Sequence, residues 1–195
     1  MGFFDNVLGR KKAVQPDLDQ LFQLPAAAIT LQASLDFVPT GTGSVAFRAP
    51  EGKAFADVQA EIQALLDAGG GPKVESVRDS FGYTWLVVRR DPSDVAGLVT
   101  DLHAINATLK DTGFGPTLLC SLVAFRNPAG QVLGMVYLFK QGTFYPFAPS
   151  PGATVEQPGR DNILELQVRD TVGSDLAFED TLARWFAVWG APGLA

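Results

Sequence analysis

The chain has one histidine, His103, and one cysteine, Cys120, in 195 residues. A single cysteine excludes an intramolecular disulfide and fits a reducing compartment such as the cytoplasm. One histidine and one cysteine cannot hold zinc by soft ligands alone. A Ser-His-Asp or Cys-His catalytic set would have to use these two residues. Their contexts argue against it. His103 falls at the flank of an amphipathic helix pattern, and Cys120 falls in an apolar run with Leu118, Leu119 and Leu122. There a thiol fills core rather than attacking substrate.

Positive charge is also scarce. The net charge is −6 and the pI about 4.7, and Arg10-Lys11-Lys12 is the one basic block. That excludes a nucleic-acid binder. Long apolar runs are missing: nothing approaches the roughly 18 residues of a membrane span. Phe3 to Leu8 is too short for a secretory signal and is interrupted by Asp5 and Asn6. Gly69-Gly70-Gly71-Pro72-Lys73 follows a helix instead of leading into one, so it does not match a phosphate-binding loop. Asp17/Asp19 and Glu179/Asp180 stand at helix starts, where capping and the helix dipole explain them. The expectation is a noncatalytic protein with no metal and no cofactor.

What the chain does have is 47% apolar residues against 18% charged, the balance of an ordered globular protein. Residues 1–15 stand apart as an amphipathic segment, and 16–195 read as a single domain. Pro16, Asp17 and Asp19 start a short helix that Pro25 would end. From Ile29 to Phe37 apolar and polar residues alternate, which reads as a half-buried strand. The alanines of 26–28 support a rival helix across Ala26–Leu35. Pro39 to Gly43 reads as a turn and Ser44 to Arg48 as the return strand. Phe55, Val58, Ile62, Leu65 and Leu66 form one helical stripe; Val95, Leu98, Val99, Leu102 and Leu109 form another, started by Asp91-Pro92-Ser93-Asp94. Strands are expected at 74–78, 83–90, 117–126 and 131–140, and in the segment YLFKQGTFYPFAP at 137–149. Asn162 and Glu165 have capping-box spacing. A last helix would carry Leu182, Trp185, Phe186 and Trp189.

Hairpins separated by helices imply an α+β fold: an antiparallel sheet with helices on one face. The order also suggests an internal duplication. Aligning Gly71-Pro72 with Gly115-Pro116 matches Phe55 with Val99, Val58 with Leu102 and Leu65 with Leu109.

Two surfaces are candidates for contact. Phe3, Phe4, Val7 and Leu8, followed by Arg10, Lys11 and Lys12, form a segment suited to docking on a protein or on the inner face of a membrane. Phe144, Tyr145 and Phe147 lie around Pro146, which places their strand at a sheet edge. Their partners are either an external chain or the aromatic residues of RWFAVWG at 184–190. His103 and Asn106 are a candidate pocket. The helical angle of Asn106 sets it among Leu102 and Leu109, where a buried amide needs partners.

The blocks MGFF with LGR, LDQLFQLPAAAITL, GSVAFRAPEG, FGYTWLVVRR, DLHAINATLKDTGFGPTLLCSLVAF, VYLFKQGTFYPFAP, RDNILELQVR and RWFAVWGAPGL together resemble the PspA-associated PspAB family. The likeness spans nearly the whole chain. It implies an accessory or adaptor protein that acts with PspA, a coiled-coil protein of envelope (phage-shock) stress, and it implies no catalytic residues. The element order of 94–148 is also loosely similar to YbjN-like, secretion-chaperone-like α+β folds. That likeness implies an alternative role as a chaperone-like or small-ligand-binding domain.

Overall fold

In the computed structural model, residues 17–48 and 53–194 are described. Four helices and six strands form an α+β fold. The helices are α1 (Leu24–Leu35), α2 (Lys53–Ala68), α3 (Val95–Leu109) and α4 (Asn162–Val172). The strands are β1 (Val38–Phe47), β2 (Glu75–Arg78), β3 (Thr84–Arg89), β4 (Leu118–Arg126), β5 (Val132–Leu138) and β6 (Thr143–Phe147). One sheet runs in the order β2-β3-β1-β4-β5-β6, and every neighbouring pair is antiparallel.

Strand alternation sends side chains to two different cores. One set, including Val45, Phe47, Leu86, Val88, Val123, Phe125, Met135 and Tyr137, packs with all four helices. The other set, including Ala46, Trp85, Val87, Cys120, Leu122, Val136, Tyr145 and Phe147, packs with Trp185, Ala191 and Leu194 of the C-terminal segment. Helices therefore cover one face, as expected, and irregular chain covers the other.

The segment expected as a strand from Ile29 is helix α1. Two periodicities compete there. The alternating set includes Ile29, which is 71% exposed, whereas Leu24, Ala27, Ala28 and Leu31 are all buried. That spacing of three, one and three is a helical face. Pro25 lies in the first turn of α1 and does not end the preceding 3-10 turn (Leu18–Gln23); at that position its missing N–H costs nothing. Asp36 closes α1 in the left-handed region, at φ 57°.

The expected turn at Pro39–Gly43 is part of β1. Residues 39 to 43 of β1 face residues 125 to 123 of β4, so β1 bulges there. Gly41 sits in the bulge at φ 78°, a conformation that glycine adopts without penalty. The first hairpin of the proposed duplication is thus absent. What the two halves share is a helix laid on the sheet: α2 and α3 pack side by side on the same face.

The edges are managed differently. Strand β2 is four residues long, and Glu75 on it pairs with Arg89 at 3.5 Å; short charged edges resist further pairing. The edge of β6 is covered by residues 177–179. The Phe144 N–H donates to the Ala177 carbonyl, and the Glu179 N–H donates to the Phe144 carbonyl, both at 2.8 Å.

The expected last helix is a single 3-10 turn, Leu182–Arg184, followed by irregular chain. Its carbonyls are satisfied by side chains instead of by helix. Arg160 Nη1 donates to the Trp185 carbonyl at 2.7 Å, and the Tyr145 hydroxyl donates to the Phe186 carbonyl at 2.9 Å. Glu165 also departs from its expected capping role. Asp161 caps α4 through the Leu164 N–H, while Glu165 points inward and accepts from the Ala148 N–H and Arg160.

Candidate functional site

The face under the C-terminal segment contains a hollow of about 600 Å³. Its floor is a single cross-strand row. Trp85 of β3 faces Ala46 of β1, Ala46 faces Cys120 of β4, and Cys120 faces Leu138 of β5. Two small side chains sit in the middle of this row with large ones at either end. The sheet is therefore dished at its centre. Tyr145 of β6 completes the floor, and Val188 and Trp189 of the C-terminal segment form the far wall.

The floor is apolar and internally complete. The Trp85 indole donates to Asp79 Oδ2 at 2.9 Å. Asp79 Oδ1 accepts from the main-chain N–H groups of Phe81 and Tyr83 at 2.9 and 2.8 Å, which fixes the β2–β3 turn against the cavity. Burial pushes the Cys120 thiol up to about 12, and it pushes the Tyr145 phenol well above its ordinary range. Neither group is ionised near neutral pH.

Charge collects at the opposite end of the row. Lys140 and Gln141 lie two and three residues beyond Leu138 and line the cavity. Arg184 lines it too, its Nη1 lying 3.2 Å from Glu179 Oε1. Burial alone would raise the Glu179 carboxyl, but it accepts from the Thr181 N–H and from Thr143 and sits beside Arg184. Those contacts hold it below the ordinary range. Phe81 and Phe186 flank the cavity and are about half exposed.

Of the residues singled out from the sequence, Tyr145 lines the cavity, and the other described ones fall elsewhere. Phe144, Tyr145 and Phe147 are at most 1% exposed, so they are core and not a surface open to a partner. Tyr145 stacks on Trp185 and Phe147 meets Trp189 edge-on: the internal cover is the one that forms. His103 and Asn106 do not line the cavity. Asn106 is on the helix face of the sheet and donates to the Leu102 carbonyl at 2.8 Å and to Ser121 Oγ at 2.7 Å. His103 packs on Phe22 at 4.9 Å, with its Nε2 3.4 Å from Asp19. A pocket pairing these two is therefore not formed; the hollow lies through the sheet, beneath Cys120. Phe3, Phe4, Val7, Leu8, Arg10, Lys11 and Lys12 lie outside the described residues. Among the described residues, no helix is long and apolar enough to cross a membrane.

The cavity was missed because its floor belongs to five strands. Ala46 and Cys120 each look like ordinary core in their own strands. The one local signal was two small residues at positions of the same facing, and it needs the register to be read.

No curated protein and no solved structure matches the chain. A family model does: PspA associated protein B, PspAB, matches residues 1–193.

Proposed function

Because the chain belongs to the PspA associated protein B family, we propose that it is a noncatalytic accessory protein that associates with PspA and serves as an adaptor in the envelope-stress response. The observation that carries this reading is the extent of the match, residues 1–193 of 195. The arrangement of the cavity supports the noncatalytic part. Its thiol and phenol are held protonated, and its carboxylate, Asp79, is engaged by three donors. A nucleophile needs an adjacent base or a lowered pKa, and Cys120 has the opposite shift.

The contact with PspA, and any peripheral contact with a membrane, is assigned to Phe3, Phe4, Val7, Leu8, Arg10, Lys11 and Lys12 on their sequence. Four apolar side chains followed at once by three cations suit either surface. The test is co-purification of PspA from native cells with the full chain and with a chain lacking residues 1–12. Retention by the full chain and loss on truncation is the expected result. If neither chain retains PspA, the association is wrong; if both retain it, the contact lies elsewhere. Flotation with anionic liposomes, run on the same pair, tests the membrane contact.

A second reading, a small-ligand-binding domain, is favoured by the hollow itself. A concave apolar space of about 600 Å³ lies within the roughly 300–1,000 Å³ range of small-molecule sites.

A further inference from the structure

We propose that the cavity binds a single-chain amphiphilic anion, a free fatty-acid carboxylate, with its tail along the floor and its head at Lys140 and Arg184. This rests on the ligand-binding reading and is independent of the association with PspA.

Three observations select this class. The first is shape. The floor row crosses β3, β1, β4 and β5, three strand spacings or about 14 Å. Its residues are already nearly closed off: Ala46 is 1%, Trp85 3%, and Cys120 and Leu138 6% exposed. A helix about 10–12 Å wide cannot reach such a floor without displacing the C-terminal segment. An extended hydrocarbon chain can.

The second is polarity along the row. At the Trp85 end stands Asp79, whose negative charge disfavours an anionic head. At the Leu138 end stand Lys140 and Arg184. Lys140 makes no ion pair among the described residues. Arg184 pairs with Glu179 through Nη1, and its other guanidinium nitrogens make no hydrogen bond among the described residues. Glu179 offsets Arg184 at that end, and Arg48 lies over the Tyr83 ring at the other. Among the lining residues themselves the ends differ in sign, Asp79 against Lys140 and Arg184, and an amphiphilic anion has one favourable orientation, with its head at Lys140. The third is the satisfied floor. The Tyr145 hydroxyl and the Trp85 indole already have acceptors, so nothing there calls for a polar ligand body.

The experiment is calorimetric titration of the full chain with decanoate, dodecanoate and tetradecanoate below their micelle concentrations, and with tetradecanol. Each added methylene is expected to tighten binding about fourfold until the tail outruns the floor. Lys140→Gln with Arg184→Gln is expected to weaken the carboxylates about tenfold and to leave tetradecanol unchanged. Ala187→Trp, at an exposed position of the mouth, is expected to abolish binding with no change in melting temperature. Failure of every ligand overturns both this proposal and the ligand-binding reading. Binding of tetradecanol with no preference for carboxylate overturns the ligand class alone. Binding to anionic vesicles but not to monomeric fatty acid assigns the cations to a membrane surface and overturns the proposal. So does protection of Phe186 and Ala187 from hydrogen exchange by PspA when no fatty acid binds, which would make the cavity a protein dock.

Discussion

The Tyr145 phenol donates a hydrogen bond to the Phe186 carbonyl at 2.9 Å, under a Trp185 ring stacked 6.1 Å away. This pair ties the C-terminal segment to the sheet. Tyr145→Phe keeps the ring and removes the bond, at an expected cost of about 1 kcal/mol. Tyr145→Ala also removes a ring that is 1% exposed, at about 3–5 kcal/mol. Chemical denaturation measures both. A variant Tyr145→Ala that melts like the parent would mean that the ring is not core, and would return it to the list of partner contacts.

The same pair shows what sequence can and cannot carry. That Tyr145 sits on an edge strand was legible from Pro146, because proline cannot donate within a central ladder. That tryptophans cover it was legible as one of two alternatives, because exposed aromatics need burial somewhere. The helical form expected around them was not. Its defeat comes from Arg160 and Tyr145, which claim the Trp185 and Phe186 carbonyls from other parts of the chain. Helix α1 fails the other way. Ile29, Leu31, Ala33 and Leu35 alternate as a strand would, and only the third dimension says that Ile29 faces water. The helices α2 and α3 were readable because both have a single strong stripe and clear ends. The cavity was beyond reach, since it is a property of register between Ala46 and Cys120.

Asn106 and Ser121 form a polar link inside the helix–sheet core, both at most 1% exposed. Ser121→Ala takes one acceptor from a buried amide and is expected to cost about 1–3 kcal/mol. Asn106→Leu alone strands the Ser121 hydroxyl and costs a similar amount. The double variant replaces both by apolar groups and is expected to recover part of the loss. The double-mutant cycle measured in urea gives the coupling. Simple additivity of the two losses would show that the link contributes nothing of its own.

Arg160 and Glu165 meet at 2.6 Å, with the Glu165 side chain 3% exposed. Burial raises the Glu165 carboxyl above its ordinary range, against the lowering contributions of Arg160 and the Ala148 N–H. An acid raised in the folded state favours folding below its unfolded value, about 4.3. That contribution is lost as pH climbs through the folded value. Arg160→Met removes a lowering contribution and raises the carboxyl further. At pH 7 it strands a buried charge, at about 3–5 kcal/mol. The deficit is expected to shrink as pH falls and Glu165 takes up its proton. Adding Glu165→Gln should make the deficit independent of pH. Urea unfolding at several pH values between about 5 and 8 decides it, and a deficit that grows toward acid would contradict the assignment.

Cys120 gives a chemical reporter for the cavity. Its thiol is 6% exposed, and burial pushes it up to about 12. At pH 7 such a thiol is held protonated, and the thiolate is the reactive form. Alkylation in the folded protein is therefore expected to be slow and to follow opening of the segment over the floor. Tyr145→Phe, which loosens that segment, should speed the reaction. A fatty acid lying across Cys120 should slow it. Both effects are read by mass spectrometry during timed exposure to iodoacetamide. Rapid stoichiometric labelling of the folded parent would show that the floor is open to solvent, and would remove the basis for a closed apolar site.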